Sequence, residues 1–283
     1  MANEVTASVA TEFILTEMIA EFIYRASYAG STLGPFVHFE TLAGVPANAK
    51  DIAKSPLVSA AALTDGTDLA NTAFNPTSVT ITAAEVGLMI TPTDFMMGAA
   101  IVGPNYFAEQ LALALATKLD TDIAANSSSF STSVGSSGVD ATETNFLDAK
   151  YNLRNGNAQG PFFAALHPIQ VRDLQVDIAT SSGAIWGASD GPDSVIAELA
   201  YLYNVLIVES TVIPTANAGA DRGGFMAPQG MGCGIAFVEK RGAQVETQRD
   251  ASLRATELVA TLVYGTGCPN VAANGGVAII TDA

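Results

Sequence analysis

The longest regular pattern of apolar positions lies in the stretch YFAEQLALALATKLDTDIAAN, at residues 106–126. Large apolar residues recur there at every fourth position, a spacing that places side chains on one face of an α-helix. They are Phe107, Leu111, Leu115, Leu119 and Ile123. A helix of about 21 residues rises about 32 Å, the width of a domain. The pattern therefore predicts a long helix with this stripe in the core.

Similar spacing predicts further helices in residues 6–28, 91–97, 143–156, 168–180 and 190–204. Alternating or continuous apolar runs predict strands in residues 160–168, 205–210, 241–250, 252–268 and 275–282. The order strand, helix, helix, strand predicts a compact mixed unit from about 161 to 235. Residues 36–54 show no regular pattern and are expected to be irregular.

A hairpin is predicted between the helix at 6–28 and the long helix. Residues 56–63 and 78–90 have strand character, and the dipeptide Asp65-Gly66 between them tolerates the positive φ angles of tight turns. Large apolar side chains are sparse in this part of the chain. A segment of that kind cannot enclose a core of its own, so we expect an extended flap that lies on another surface.

The charge balance limits the possible partners. Twelve Lys and Arg against 28 Asp and Glu give a formal net charge of -16. That charge argues against a wide basic face that neutralises phosphates. Only 14% of the residues are charged whereas 49% are apolar. This is little charged surface for a monomer, and it indicates surface that other chains cover.

The ends and the cysteines place weak limits on the compartment. The N-terminal stretch has no basic segment and carries Glu4, Glu12, Glu17 and Glu21, so a standard signal peptide is not predicted. The sequence contains no run of 18 apolar residues, so a membrane helix is not predicted. Cys233 and Cys268 are expected to be reduced, partly buried thiols.

Catalytic or metal-binding motifs are not evident in the sequence. His38 and His167 are the only histidines and have no usable ligand spacing, and His167 is predicted to be a turn residue. Asp120 and Asp122 could bind a metal, but solvated acids are the favoured interpretation because positions i and i+2 point to different helix faces. The glycines of QGMGCGIAF lack the flanking elements of a dinucleotide site and are interpreted as the entry to a strand. We therefore predict no enzyme activity, cofactor or metal.

The order of these parts resembles the major capsid proteins of tailed double-stranded DNA bacteriophages, which have the Hong Kong 97-type fold. Four stretches carry the resemblance: the extended loop and strand from Lys54 to Phe95, with Gly87 late in the strand; the long helix in NYFAEQLALALATKLDTDIAA; the strand, His-Pro and helix in FFAALHPIQVRDLQ; and the helix, turn and strand in VIAELAYLYNVLIVESTVIP. Each motif alone is degenerate, but together they cover nearly the whole chain in order.

The resemblance implies an α+β fold with four parts. Residues 1–35 would form an N-terminal arm and residues 36–90 the extended loop, or E-loop. Residues 91–160 and 236–266 would form the peripheral domain, with its spine helix at about 104–126. Residues 161–235 and 267–283 would form the axial domain. The E-loop would contact neighbouring subunits through Leu57, Val58, Leu63, Asp65, Gly66, Leu69 and Phe74.

The resemblance also implies a structural function. Subunits of this family form hexamers and pentamers that enclose DNA in an icosahedral head, so the chain is expected in the virion after assembly in the host cytoplasm. The implied partners are copies of itself, a separate scaffolding protein, a portal and cement proteins, with only weak contact to DNA and none to membranes. Lys50 and Lys54 lie near the loop, but no lysine and asparagine pair is singled out, and cross-linking is not predicted.

Three alternatives stay open at this point. A bacterial nanocompartment shell has the same fold and would enclose an enzyme instead of DNA. An acidic surface-layer or adhesin protein fits the composition, although the absent signal peptide counts against it. A hydrolase would require acids such as Asp190, Asp193 and Asp221 to converge in space.

Overall fold

The computed structural model describes residues 31–54, 73–95, 104–181, 201–216 and 221–282, together with Gly219 and scattered positions between 58 and 68. Within these ranges the helices are α1 (Pro104–Ala125), α2 (Glu143–Asn155) and α3 (Pro168–Ser181), with short 3-10 turns at Gly34–Phe36, Asn126–Ser129 and Gly230–Gly232. The strands are β1 (His38–Thr41), β2 (Ala49–Lys54), β3 (Thr77–Thr82), β4 (Ala84–Ile90), β5 (Ser133–Val134), β6 (Phe162–Leu166), β7 (Tyr201–Leu202), β8 (Val205–Glu209), β9 (Thr215–Ala216), β10 (Asp221–Pro228), β11 (Ala236–Asp250), β12 (Ala255–Gly267) and β13 (Val277–Asp282).

The helix ends follow from local sequence. Thr142 caps α2 by accepting a hydrogen bond from the Asn145 backbone N–H, and Gly156 closes it by donating to Asn152 O. At the start of α3, the Nδ1 atom of His167 accepts from the Ile169 N–H at 3.2 Å. The predicted helices at 143–156 and 168–180 and the predicted turn position of His167 are thus confirmed.

A four-stranded sheet with the order β1-β11-β12-β4 carries α1 on one face. β1 runs parallel to β11, whereas the other two pairings are antiparallel. The two long strands predicted at 241–250 and 252–268 form the centre of this sheet. Apolar residues of alternate positions on β4, β11 and β12 pack with α1 in the largest core cluster.

A seven-stranded sheet contains the path β5-β13-β10-β6-β8-β7, with β9 paired to β10. β6 and β8 are parallel and are connected through α3. All five residues of β6 are buried, because α2 and α3 cover one face of the sheet and the main core covers the other. This explains why β6 is apolar throughout and does not alternate.

Three strand predictions were wrong in detail. The first hairpin strand is β2, at 49–54, and the described positions within 56–63 have no strand structure. The predicted strand at 78–90 is two strands, because β3 pairs with β2 whereas β4 pairs with β12. Residues 36–54 are not irregular, since they contain β1 and β2.

Two further differences concern the second sheet. β10 was not predicted, because two glycines, a proline and a charged start hide the pattern of DRGGFMAP. The helix predicted at 190–204 does not extend to its expected end, because Tyr201 and Leu202 form β7. Asn204 does adopt the left-handed conformation, with φ 63°, in the turn between β7 and β8.

Some predictions fall outside the described residues. These are the helix at 6–28, most of the N-terminal arm, residues 96 and 97 of the helix at 91–97, and residues 190–200 of the helix at 190–204. The predicted start of the helix at 91–97 was wrong, because residues 91 and 92 are not helical and Thr93 forms an isolated bridge with Ala255; Asp94 and Phe95 are helical.

Candidate functional site: the hairpin, its base and the spine helix

The base of the hairpin is a regular antiparallel ladder. β2 and β3 pair residue by residue from Ala49 opposite Thr82 to Lys54 opposite Thr77. The ladder has a polar, largely exposed outer face with Asp51 and Thr80, whose side chains are hydrogen-bonded. The connection between Lys54 and Thr77 is therefore a long excursion from a fixed base.

The base packs on the face of the four-stranded sheet opposite α1. Ile81 and Ala83 form a buried cluster with Leu42, Ala236 and Val238, and Ile52 and Val263 pack against it. Glycines in β12 make this contact possible. A Cβ atom at Gly265 would lie 2.4 Å from the Thr82 carbonyl oxygen, and one at Gly267 would lie 3.0 Å from Ile81. The hairpin base is thus seated on a surface shaped for it.

Polar contacts hold the base at its two sides. Lys50 Nζ lies 2.6 Å from Glu40 Oε2, and His38 Nε2 lies 3.0 Å from Glu40 Oε1. The hydrogen bonds from Lys50 and then His38 hold the pKa of the Glu40 carboxyl below its ordinary value. On the other side Lys240 Nζ donates to Ala47 O at 3.0 Å and to the side chain of Asn48.

The far part of the hairpin exposes apolar side chains. Val58, Leu63 and Phe74 are 59%, 67% and 55% exposed. Asp65 and Gly66 are exposed in a turn, and Gly66 has φ +81°, a conformation that favours glycine. Leu57 and Leu69 lie outside the described residues. Apolar side chains this exposed on a segment without a core of its own are suited to burial against another molecule.

The spine helix α1 spans the main core. All five residues of its predicted stripe are buried, and the most exposed of them, Phe107, is only 6% exposed. They pack against the four-stranded sheet and against Phe163 and Phe225 of the seven-stranded sheet. One helix therefore contributes to the cores of both sheets.

Asp120, near the end of α1, binds the segment that precedes the first turn of the described chain. Its Oδ1 accepts from Ser31 Oγ at 2.5 Å and from the Leu33 N–H at 3.1 Å. Its Oδ2 accepts from the Thr32 N–H at 2.8 Å and from Thr32 Oγ1 at 3.0 Å. Asp120 is 5% exposed, so the interpretation as a solvated acid was wrong for this residue.

Asp122 points to a different side of α1 and is also bound within the chain. Its carboxylate accepts from Lys118 Nζ at 2.6 Å and from Tyr264 Oη at 2.7 Å. Burial, and next the hydrogen bond to Asp122, raise the pKa of Tyr264 above its ordinary value. Asp120 and Asp122 thus link α1 to two different partners and do not form a pair of metal ligands.

The remaining candidates for chemistry do not form a site. Asp221 is buried at the start of β10 and accepts from the Gly138 N–H at 3.1 Å, whereas Asp190 and Asp193 lie outside the described ranges. Burial raises the pKa of Cys233 to about 12 and that of Cys268 to about 11, so both thiols are protonated at neutral pH.

The glycines of QGMGCGIAF precede β11, so the prediction that they form the entry to a strand is confirmed, and Gly230–Gly232 form a 3-10 turn there. In the part of the chain that the structure describes, three or more potential metal ligands do not cluster anywhere. Searched over the same residues, the helices include none that is long and apolar enough to cross a membrane.

Sequence reasoning missed the contacts that fix the hairpin and the N-terminal segment. Asp120, Glu40 and Lys240 belong to this group. A charged residue inside an otherwise apolar helix face was the available signal for Asp120. Glu40 and Lys240 gave no signal, because their partners lie in or next to β1 and β2, which the sequence pattern did not predict.

Comparison with known proteins identifies the fold. No sequence-family model and no curated protein matches the chain. The capsid structure of the cyanophage P-SCSP1u is similar at a TM-score of 0.66 and 14% identity, over 89% of this chain and 86% of that chain. The structure of Mycobacterium phage Che8 is similar at a TM-score of 0.63 and 20% identity, over 82% and 84%.

A third similar structure is the virus-like particle from Pyrococcus furiosus, at a TM-score of 0.61 and 10% identity, over 93% of this chain and 98% of that chain. The expected α+β fold of tailed-phage capsid proteins, of Hong Kong 97 type, is confirmed by these likenesses.

Proposed function

We propose that this chain, which has the fold of tailed-phage capsid proteins, is the major capsid protein of a tailed double-stranded DNA phage. It self-assembles through hexamers and pentamers into the icosahedral head. The observation that carries the proposal is the extent of the likeness, which covers 89% of this chain in the cyanophage capsid. A match of that extent spans most of both chains and is not limited to a small common core.

The parts of the chain have the following proposed roles. Residues 1–35 are the N-terminal arm, and the E-loop comprises the hairpin of β2 and β3 with its connection. The peripheral domain contains α1 and the four-stranded sheet, to which β4 contributes through its pairing with β12. The axial domain contains the seven-stranded sheet with α3.

The E-loop is the proposed intersubunit contact. Val58, Leu63 and Phe74 are exposed on it, and the base that carries them is held by the buried cluster and by Lys50 and Lys240. A fixed base with an exposed apolar end is the arrangement by which one subunit reaches a second one. Leu57, Asp65, Gly66 and Leu69 are assigned to the same contact.

The proposed partners and location follow from this role. The chain binds copies of itself, a separate scaffolding protein, a portal and cement proteins, and it is found in the virion after assembly in the host cytoplasm. Its net charge of -16 keeps contact with packaged DNA weak. We assign it no enzymatic activity and no cofactor.

Electron microscopy of the purified chain, alone and expressed with the neighbouring genes, tests the proposal. Closed shells of uniform size are expected. Monomers or open fibres under all conditions would contradict the proposal, and fibres would favour the surface-layer alternative.

A nanocompartment shell is the second candidate, because a virus-like particle from Pyrococcus furiosus has the same fold. The contents of purified particles separate the two candidates. Nuclease-protected double-stranded DNA supports a phage head. A single enclosed protein and no protected DNA would support the nanocompartment.

A further inference from the structure

A cleft lies where the hairpin base ends and the four-stranded sheet becomes uncovered. It has a volume of about 300 Å³ and is lined by Asn48, Ala83, Glu85, Lys240, Arg241 and Val263. Its two cations are consecutive in β11. Side chains of consecutive residues normally point to opposite faces of a strand, but the pairing of β11 with β12 shifts between Glu239 and Arg241. This irregularity brings both cations to the same cleft.

The hydrogen-bond donors of Lys240 and Arg241 are only partly satisfied within the chain. Arg241 Nη2 donates to Glu85 Oε1 at 2.7 Å and to Thr261 Oγ1 at 3.1 Å, whereas its Nε is buried with no acceptor among the described residues. Lys240 Nζ contacts the Ala47 carbonyl and the Asn48 side-chain oxygen, both uncharged. A buried N–H without an acceptor is unfavourable, and charge-assisted hydrogen bonds to a carboxylate are stronger than those to neutral acceptors.

The overall charge identifies the kind of ligand that fits. Each copy of the chain has a net charge of -16, so copies repel each other except where a cation of one faces an acid of the next. The sequence has 12 Lys and Arg against 28 Asp and Glu, and positions where such a contact can form are therefore few. In the cleft, Lys240 and Arg241 lie next to each other, beside the exposed half of one face of the four-stranded sheet.

We propose that this cleft binds a carboxylate of a second copy of the chain, held between Lys240 Nζ and the Arg241 guanidinium. The carboxylate neutralises the charge of Lys240 and accepts from the exposed part of the Arg241 guanidinium, whose side chain is 41% exposed. The cleft is thereby an intersubunit contact separate from the exposed end of the hairpin. The proposal rests on the proposed function as a shell subunit.

Carbodiimide cross-linking tests the contact directly, because this reagent joins a lysine amine to a carboxylate only when they touch. Particles are assembled from equal amounts of ¹⁵N-labelled and unlabelled chain, treated, and digested for mass spectrometry. We expect peptides that join Lys240 to an aspartate or glutamate, with about half of them mixing labelled and unlabelled partners. If both peptides of every cross-linked pair carry the same label, as in a link from Lys240 to Glu85 of the same chain, the proposal is overturned.

Paired variants supply a second measurement. Lys240→Gln combined with Arg241→Gln should lower the yield of closed particles at least tenfold at a temperature where thermal denaturation shows the unassembled variant to be folded. Both side chains also have contacts within the chain, so a lower thermal midpoint is expected for this variant. Arg172→Gln is the matched control, because Arg172 is an exposed arginine paired with Asp173 on α3. It should leave the yield unchanged.

The outcomes separate the two proposals. Particles from the wild-type chain, with equal yield from the double variant and no mixed cross-links, would overturn the cleft contact alone. Phosphate at 50 mM should reduce the yield from the wild-type chain and from Arg172→Gln and should leave the low yield of the double variant as it is, because it competes with the carboxylate for the cleft; yields unaffected by phosphate but affected by sodium chloride of the same ionic strength would count against an anion site. If the wild-type chain forms no particles, the shell function fails and the cleft contact fails with it.

Discussion

Asp120 shows how a single side chain fixes the path of the N-terminal segment. Its four hydrogen bonds all come from Ser31, Thr32 and Leu33, and no cation contributes to them. Two of the donors are backbone N–H groups, whose positions depend on the course of the main chain. Few residues other than aspartate at position 120 could accept all four hydrogen bonds. Residues 31–33 are therefore held at a defined position on α1.

Asp120→Asn should destabilise the subunit by about 1.5–3 kcal/mol, because an amide has one acceptor oxygen and its NH₂ group would face donors that are buried. The free energy of unfolding is measured from urea titrations monitored by circular dichroism. Asp148→Asn, at an exposed position of α2, is the control and should change stability by less than about 0.5 kcal/mol. Equal values for the two variants would show that the four hydrogen bonds contribute nothing.

Leu115 and Glu109 test the orientation of the spine helix. Leu115 is 1% exposed whereas Glu109 is exposed. Leu115→Ala leaves a cavity and should cost about 2–5 kcal/mol. Glu109→Gln should cost under about 0.5 kcal/mol. Denaturant midpoints compare the two, and equal midpoints would contradict the assigned faces.

At the scale of elements, the sequence predicts best those structures whose partners are close in the chain or whose pattern is long. The stripe of α1, the cap of α2 and the alternation of β11 and β12 are all visible in the sequence. β10 was missed because Gly223, Gly224 and Pro228 replace the β-branched residues that mark a strand.

The sequence also did not show which strands pair with the strands of the hairpin. β3 and β4 form one apolar run, and only their pairing with β2 and β12 separates them. That pairing depends on strands far away in the chain, one of which lies in residues 36–54, where no pattern was recognised. The candidate site was therefore predicted at its exposed end, through Leu63 and Phe74, but not at the contacts that hold its base.

Removal of the exposed end of the hairpin should abolish assembly without unfolding the subunit. The variant lacks residues 58–75 and has a Gly-Ser turn in their place, and the β2–β3 ladder, which ends at Lys54 and Thr77, is retained. We expect a soluble monomer with a nearly unchanged thermal midpoint and no closed shells, because the loss falls on an intersubunit area larger than about 1,200 Å². Thermal denaturation and electron microscopy are the measurements.

A control variant has the same length as the wild-type chain, with Val58, Leu63 and Phe74 each replaced by serine. It should also fail to form closed shells, which would assign the effect to the apolar side chains and not to the length of the connection. Normal shells from the deletion variant, or an unfolded subunit, would each contradict the role given to this segment.

At the scale of the whole molecule, the net charge of -16 sets how the subunit responds to nucleic acid. Few cations remain for phosphates, since several form ion pairs within the chain: Lys50 with Glu40, Lys118 with Asp122, Arg172 with Asp173, Arg241 with Glu85 and Arg249 with Asp94. The proposed shell, with this charge, would hold its contents by enclosure and not by adhesion.

The free subunit should accordingly show no measurable affinity for duplex DNA at physiological salt, because non-specific binding depends on counterion release by Lys and Arg. A gel-shift titration at 150 mM salt checks this expectation. A basic DNA-binding protein serves as the positive control. Micromolar binding that weakens as salt increases would contradict it.

The strand order of the four-stranded sheet also determines when the subunit can be completed during its synthesis. The edge strands β1 and β4 are synthesised first, and their partners β11 and β12 are made only after the intervening residues 91–235. Until then both edges lack their hydrogen-bonding partners, and the hairpin base lacks the surface on which it packs. In the proposed shell function, a nascent chain would have no finished surface for a neighbour until β11 and β12 are made, which would delay assembly until then and favour a supply of uniform subunits.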